Sequence, residues 1–294
     1  MKKFADKIKR VGFIGNLDKA GCAEIVRSAS RLIQRAGRKI ICEVQTARLA
    51  GLKAATATNA ATLAREVDLL LVFGGDGTML HIARDIAGSS TPMLGVNLGG
   101  LGFLTAVPSD KLPQALKHVW RGEFKFEARD LIETGGVCQG RRIRAAALND
   151  IVVSRGAVSR LITLDVSVDG ELVTRYRCDG LIISSPTGST AYSLAAGGAV
   201  VLPTADVFAL TPICPHALSN RSIILPLSSI IRVKAVTPQP ATILSADGQV
   251  VAEMDAGDEI TIRRSHSAIR LMHLADSSFL EALRRKLHWR GTYL

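Results

Sequence analysis

The segment Leu69-Leu70-Leu71-Val72-Phe73-Gly74-Gly75-Asp76-Gly77-Thr78-Met79-Leu80 constrains the fold of this chain more than any other. An apolar run closed by glycine reads as a buried strand of a parallel sheet. Glycines at its carboxyl end let the backbone turn tightly and approach a ligand. Thr78 is the expected N-cap of the following helix, whose amino end attracts phosphate. Asp76 therefore sits where a polyphosphate is expected. A carboxylate there repels phosphate unless a metal ion or an abstracted proton gives it a purpose. The pattern points to phosphoryl transfer; the alternative is a glycine-rich turn with Asp76 as a solvated helix cap.

The 294 residues suffice for one large or two ordinary domains with sizeable cores. Hydrophobic residues make up 47% and aromatics only 4%, so the core is built of Val, Ile, Leu and Ala, in the α/β manner. No apolar run reaches the ~18 residues of a membrane span, and the charged start lacks the apolar core of a signal peptide. Cys22, Cys42, Cys138, Cys178 and Cys214 are odd in number and fit no metal-ligand spacing. No protein-held metal site is expected, and a reducing cytoplasm is the natural compartment. The net charge of +11 favours anionic partners. Its basic residues are dispersed and few aromatics are available to stack on bases, so small phosphate-bearing substrates fit at least as well as nucleic acid, which is not expected to be the main partner.

The first third alternates strand and helix. Strands are expected at 11–15, 39–44, 68–73 and 92–97, and helices at 20–36, 60–66 and 78–87. Cys22, Val26, Ala29 and Ile33 share one face of the first helix, which Gly37 ends. The strand at 92–97 runs into a second glycine cluster, Asn97-Leu98-Gly99-Gly100-Leu101-Gly102-Phe103. Two such loops on neighbouring strands line the crevice where open α/β sheets bind ligands. The expected fold is a Rossmann-like α/β domain over 1–123, a largely β domain over 124–275, and a closing helix at 276–294 that packs back on the first domain. In the β region, strands are expected at 144–155, 161–168, 172–177, 181–185, 223–236 and 241–244. Asp169-Gly170 and Asp247-Gly248 mark hairpin turns. The two halves are expected to join tightly around a cleft.

A second constellation is Asp179-Gly180-Leu181-Ile182-Ile183-Ser184-Ser185-Pro186-Thr187-Gly188-Ser189-Thr190-Ala191-Tyr192-Ser193-Leu194-Ala195-Ala196-Gly197-Gly198. An apolar strand again enters a loop, here dense in hydroxyls and glycine. Such a loop suits ribose, carboxamide or phosphate; a Ser/Thr-rich turn capping a short helix is the structural alternative.

Together, GGDGT, the Asn97 cluster with Leu104, Leu148-Asn149-Asp150 and the Asp179 to Gly198 run closely resemble bacterial NAD kinase. The likeness continues through Cys214-Pro215-His216-Ala217-Leu218-Ser219 and Asp247-Gly248-Gln249. The resemblance implies ATP-dependent phosphorylation of the adenosine ribose 2′-hydroxyl of NAD to NADP, by a homodimer or homotetramer. It makes Asp76 the proton acceptor and Asn149 and Asp150 NAD contacts. Further contacts fall on Gly77, Arg160, Arg177, Asp179, Thr190, Ala191, Tyr192, Ser193, Leu194, Ala195 and Gln249. His81, five residues after Asp76, is the counterpart of a basic ligand contact. Gly74, Gly75, Thr78, Asn97 and Thr187 complete the candidate binding residues.

The chemistry agrees. A ribose hydroxyl needs a general base near neutral pH, and γ-phosphoryl transfer needs in-line positioning and charge neutralisation. Mg²⁺ is expected to arrive with ATP. Arg160 and Arg177 can meet a pyrophosphate or a neighbouring acid, or simply lie solvated on strands. Three positions depart from the family pattern: Cys178 where Ser is frequent, Ala199 where Pro is frequent, and Asp150 where many relatives carry Glu. These bear on substrate preference more than on reaction class. Two alternatives share the scaffold: another GGDG kinase acting on a lipid or sugar, and a non-catalytic dinucleotide-binding sensor. No membrane-facing device supports a lipid substrate. Gly12 and Gly15 do not make the G-x-G-x-x-G of a dehydrogenase.

Overall fold

The computed structural model describes residues 1–100, 102–156, 160–217, 219–236 and 242–289. Leu101 and Leu218 of the motifs above, and Ala241 of an expected strand, lie outside the described residues. Contacts divide the chain into two units, Met1–Ala128 with Ile269–Leu294, and Arg129–Ala268. Two long strands, Phe124–Cys138 and Glu259–Leu274, carry the chain from one unit to the other.

The first unit is α/β, with its five main strands parallel. Arg10–Gly15 lies at the centre, flanked by Lys39–Glu43 and then Ala55–Ala57 on one side. Leu69–Gly74 and then Met93–Asn97 lie on the other. Numbered along the chain, this order is 3-2-1-4-5. The switch point lies between Arg10–Gly15 and Leu69–Gly74, where doubly wound sheets place their ligands. Every residue of Leu69–Gly74 and Met93–Asn97 is buried, as continuous apolar runs in a parallel sheet should be. The helix Cys22–Arg35 turns Cys22, Val26, Ala29 and Ile33 into the core, in the expected pattern. Gly37 follows its end with φ +72°.

Two local expectations are corrected here, and one helix is added to them. Thr78 is not an N-cap: the helix spans Asp76–Asp85, with extended Gly75 as its cap. Asp76 thus joins the first turn, where its charge suits the helix dipole. The strand expected through Val44 stops at Glu43, whose carboxylate caps a helix, Val44–Ala50, by accepting the N–H groups of Gln45 and Thr46. Leu112–Arg121 forms a helix that the sequence reading passes over, with Leu112, Ala115, Leu116 and Val119 buried.

The second unit is largely β. One antiparallel sheet has the order Ile223–Pro226, Val207–Ile213, Gly180–Ser184, Asp150–Arg155, Thr242–Ala246, Gln249–Met254. A second set pairs Glu171–Cys178, Ile162–Val168, Ile231–Ala235 and the start of Glu259–Leu274. Arg141–Ala147 pairs with Phe124–Cys138. Ile162–Val168 and Ile231–Ala235 alternate buried and more exposed residues. Leu164, Val166, Ile231 and Val233 meet Ile151, Val153, Leu181, Ile183 and Phe208 in one apolar core. The expected strand at 223–236 is two strands, because residues 227–230 turn the chain. The expected strand at 144–155 is also two, broken at Leu148-Asn149. Asp169-Gly170 and Asp247-Gly248 turn with positive φ, as expected of hairpins. A final helix, Phe279–Lys286, belongs to the first unit.

Candidate active site

In the first unit, the buried strand Leu69–Gly74 delivers Gly75 and Asp76 to the amino end of a helix. A Cβ added to Gly75 or to Gly77 would meet nothing within 4 Å, so both backbones face open space. The Asp76 carboxylate is held by the second glycine-rich loop. Oδ2 accepts the N–H of Phe103 at 2.7 Å, and Oδ1 accepts those of Leu104 at 3.0 Å and Thr105 at 3.3 Å. The Thr105 hydroxyl adds a longer contact to Oδ1 at 3.4 Å. This embrace requires glycine at position 102, where a Cβ would stand 2.1 Å from Asp76 Oδ1. Asn97 is buried and shapes the same loop: its amide donates to the Gly100 carbonyl at 2.6 Å and its oxygen accepts from Gly99 N at 2.8 Å.

Two residues outside the sequence-based set converge on this point. Asn16, just past the central strand, donates from Nδ2 to the Thr78 hydroxyl at 3.0 Å, bridging the switch point. Lys286 brings its ammonium to 3.7 Å from Asp76 Oδ2. His81 stands apart from them: its side chain is 60% exposed and faces Asp85 one turn on, at 3.8 Å. Among the described residues, no group of three or more His, Cys, Asp or Glu side chains gathers at metal-binding spacing.

In the second unit, the turn residue Asp247 organises the candidate dinucleotide residues. Its carboxylate accepts the N–H groups of Leu148 at 2.9 Å, Asn149 at 2.8 Å and Asp150 at 3.3 Å, while its own N–H donates to the Asp150 carbonyl. Gln249 follows on the same hairpin. The hydroxyl-rich loop packs against Asn149: the Asn149 carbonyl accepts from Ser185 N at 2.8 Å, and Ser185 Oγ donates to the Leu148 carbonyl. Only glycine fits at 188, where a Cβ would lie 2.2 Å from the Asn149 carbonyl oxygen. Thr187 accepts from the buried Arg129 at 3.2 Å, a contact with no sequence signal. Thr190 donates back to the Thr187 carbonyl. The short helix Tyr192–Ala195 follows Ala191; Ser193 is buried against Thr211, which reaches Ser222. Tyr192 is exposed.

Asp179 is paired with Arg155 at 2.9 Å, and Arg160 and Arg177 are exposed. Asn149, Asp150, Thr187 and the 190–195 segment are therefore neighbours through hydrogen bonds, whereas Arg160 carries no such link to them among the described contacts. Cys178 is buried, and burial pushes its thiol up to about 12, so it is an inert packing group.

Asp150 is the electrostatic anomaly. It is 5% exposed; burial, with the Asp247 carboxylate behind it, pushes its carboxyl up to about 7. A raised folded-state value means that the neutral form is favoured by folding. Its stabilising contribution is complete below the unfolded value near 3.8 and is lost as pH rises through about 7. Asp150→Asn should abolish this dependence. Urea titrations should show the stability gap between the two proteins changing by about 2 kcal/mol between about pH 5.5 and about pH 8.5, with the variant gaining at alkaline pH. A gap that stays constant would contradict the burial-driven shift.

The description "ATP-NAD kinase N-terminal domain" matches residues 11–124, and "ATP-NAD kinase C-terminal domain" matches residues 148–274. The chain belongs to the ATP-NAD kinase family. Both glycine-rich loops fall in the match to the first domain of the family, and the Asp150 and Thr187 region falls in the second. The chain is 39% identical over 282 residues to the NAD kinase of Cupriavidus pinatubonensis, covering 96% of this chain and 92% of that one. It is 39% identical over 280 residues to the NAD kinase of Thiobacillus denitrificans, covering 95% and 96%. The crystal structure of yeast NADH kinase complexed with NADH superposes with a TM-score of 0.89 at 28% identity, covering 98% of this chain and 89% of the yeast chain. Thus the ATP-NAD kinase fold extends over nearly the whole chain.

Proposed function

We propose that this chain is an NAD kinase, transferring the γ-phosphoryl group of ATP to the 2′-hydroxyl of the adenosine ribose of NAD, with Asp76 as general base. The observation that carries this reading is the Asp76 carboxylate, held at a helix amino terminus between the open backbones of Gly75 and Gly77. Oδ1 receives three donors from residues 104 and 105, which use up its accepting directions. Among the described residues, Oδ2 receives one N–H, from Phe103. A carboxylate oxygen has room for two acceptor contacts, so Oδ2 is the atom that takes the ribose proton.

The hydroxyl loses its proton to Oδ2 as its oxygen bonds to the γ-phosphorus. The bond from that phosphorus to the β,γ-bridging oxygen breaks, and ADP leaves with the electron pair. The Gly75 and Gly77 backbones and the helix amino end, with Thr78 fixed by Asn16, face the donor's phosphates. Asn149, Asp150, Thr187, Gln249 and the 190–195 segment bind NAD. A divalent cation such as Mg²⁺ comes bound to the phosphates of ATP and shields their charge; no step depends on a protein ligand to it. The five cysteines stand as free thiols, which suits a reducing cytoplasm. Assembly as a homodimer or homotetramer is part of the same reading.

This assignment of roles separates the two substrates. Asn149→Ala should raise KM for NAD by about 10-fold, the cost of one or two lost hydrogen bonds, and leave KM for ATP unchanged. Initial rates of NADP formation over a grid of both substrates measure the split. An unchanged dependence on NAD would refute the role given to Asn149.

A further inference from the structure

The carboxyl-terminal helix bears three cations in its last turn, Arg284, Arg285 and Lys286. Cations there complement the helix dipole and ordinarily need no further explanation. These three are not equivalent. Arg284 and Arg285 are exposed, whereas the Lys286 side chain is only 30% exposed and turns inward. Its ammonium lies 3.7 Å from Asp76 Oδ2 and 4.2 Å above the centre of the Phe103 ring. That ring meets Phe279, from the first turn of the same helix, with centroids 5.9 Å apart. Phe103 also donates its N–H to Oδ2. The helix thus grips the second glycine-rich loop by its aromatic ring and faces the same carboxylate oxygen with a positive charge.

We propose that Lys286 is a positioning residue for phosphoryl transfer, holding Asp76 Oδ2 and the backbone of residues 103–105 in the reactive arrangement from the carboxyl-terminal helix. The inference rests on the reading of Asp76 as the base. At 3.7 Å the ammonium lies beyond direct hydrogen-bond length, so it orients the carboxylate by charge and leaves the accepting direction of Oδ2 to the substrate. Placement of the reacting groups to within an ångström governs the rate, so losing this restraint acts on kcat.

Lys286→Met keeps an aliphatic stem over Phe103 and removes the charge. It should lower kcat about 10-fold, with KM for NAD and for ATP each within about twofold and the thermal midpoint unchanged. Lys286→Arg should restore kcat to within about threefold. In an Asp76→Asn background, Lys286→Met should cost nothing more, because the group it positions has gone. A wild-type kcat in Lys286→Met overturns the proposal. So does an equal loss in both backgrounds, or a rise confined to KM for ATP, which would make Lys286 a substrate contact. Lys286→Gln carries the same test if the Met variant is unstable. A near-wild-type rate for Asp76→Asn alone is a different result, which removes the base rather than its positioning residue.

Discussion

Asp76→Asn is expected to lower kcat by about 10²- to 10⁴-fold, the range typical of lost general acid–base catalysis. The substitution is nearly isosteric and leaves one oxygen to accept from the backbone. That oxygen can keep the Oδ1 contacts with Leu104 and Thr105, so the second glycine-rich loop should stay in place. The amide nitrogen then replaces Oδ2, where it can neither take a proton nor accept from Phe103. Circular dichroism should therefore be unchanged, with a modest fall in thermal midpoint from the one N–H left unpaired. KM for NAD should move little, because the residues proposed to bind NAD lie in the other unit. A variant that turns over at nearly the wild-type rate would leave Asp76 as a loop anchor only.

The second large effect is expected at Asp247. Asp247→Ala removes the acceptor of three backbone N–H groups, those of Leu148, Asn149 and Asp150. Leaving a buried donor unpaired costs about 1–3 kcal/mol, and water can reach part of this turn, so a total loss near 3 kcal/mol is expected. The same change should raise KM for NAD by about 10- to 100-fold, because it releases the two residues assigned to NAD contacts. Asp247 also sits at φ +46°, a conformation that Asn tolerates better than Ala. Asp247→Asn should accordingly lose less on both counts. Urea unfolding and NAD saturation curves measure the two effects together. Wild-type stability and NAD dependence in Asp247→Ala would contradict the organising role.

Much of this was legible in the sequence because local and global preferences agree. Leu69–Gly74 and Met93–Asn97 are apolar runs ended by glycine or asparagine, and they fold as buried parallel strands. Cys22, Val26, Ala29 and Ile33 recur at helical spacing and line the core. Leu112, Ala115, Leu116 and Val119 show the same spacing and form the buried face of the helix Leu112–Arg121.

Other features depend on partners far along the chain, to which a local pattern is blind. The break at Leu148-Asn149 is held by a carboxylate 99 residues later, so the run there reads as one strand. Asp76 is fixed by backbone N–H groups from residues 103–105, a long-range contact that the local motif does not specify, and by Lys286 at the far end of the chain. At Glu43 a single capping side chain overrides the β preference of Val44. Among the glycines, two that pattern reading treats as loop residues, Gly102 and Gly188, are contact points that fit no side chain.

The most direct test of the account is to incubate the purified protein with NAD, ATP and Mg²⁺, separate the nucleotides by chromatography, and run Asp76→Asn beside it. The account predicts NADP and ADP in equal amounts from the wild-type protein, and at least about 10²-fold less of both from the variant over the same interval. ATP consumed without NADP, or NADP formed at equal rates by both proteins, would contradict it.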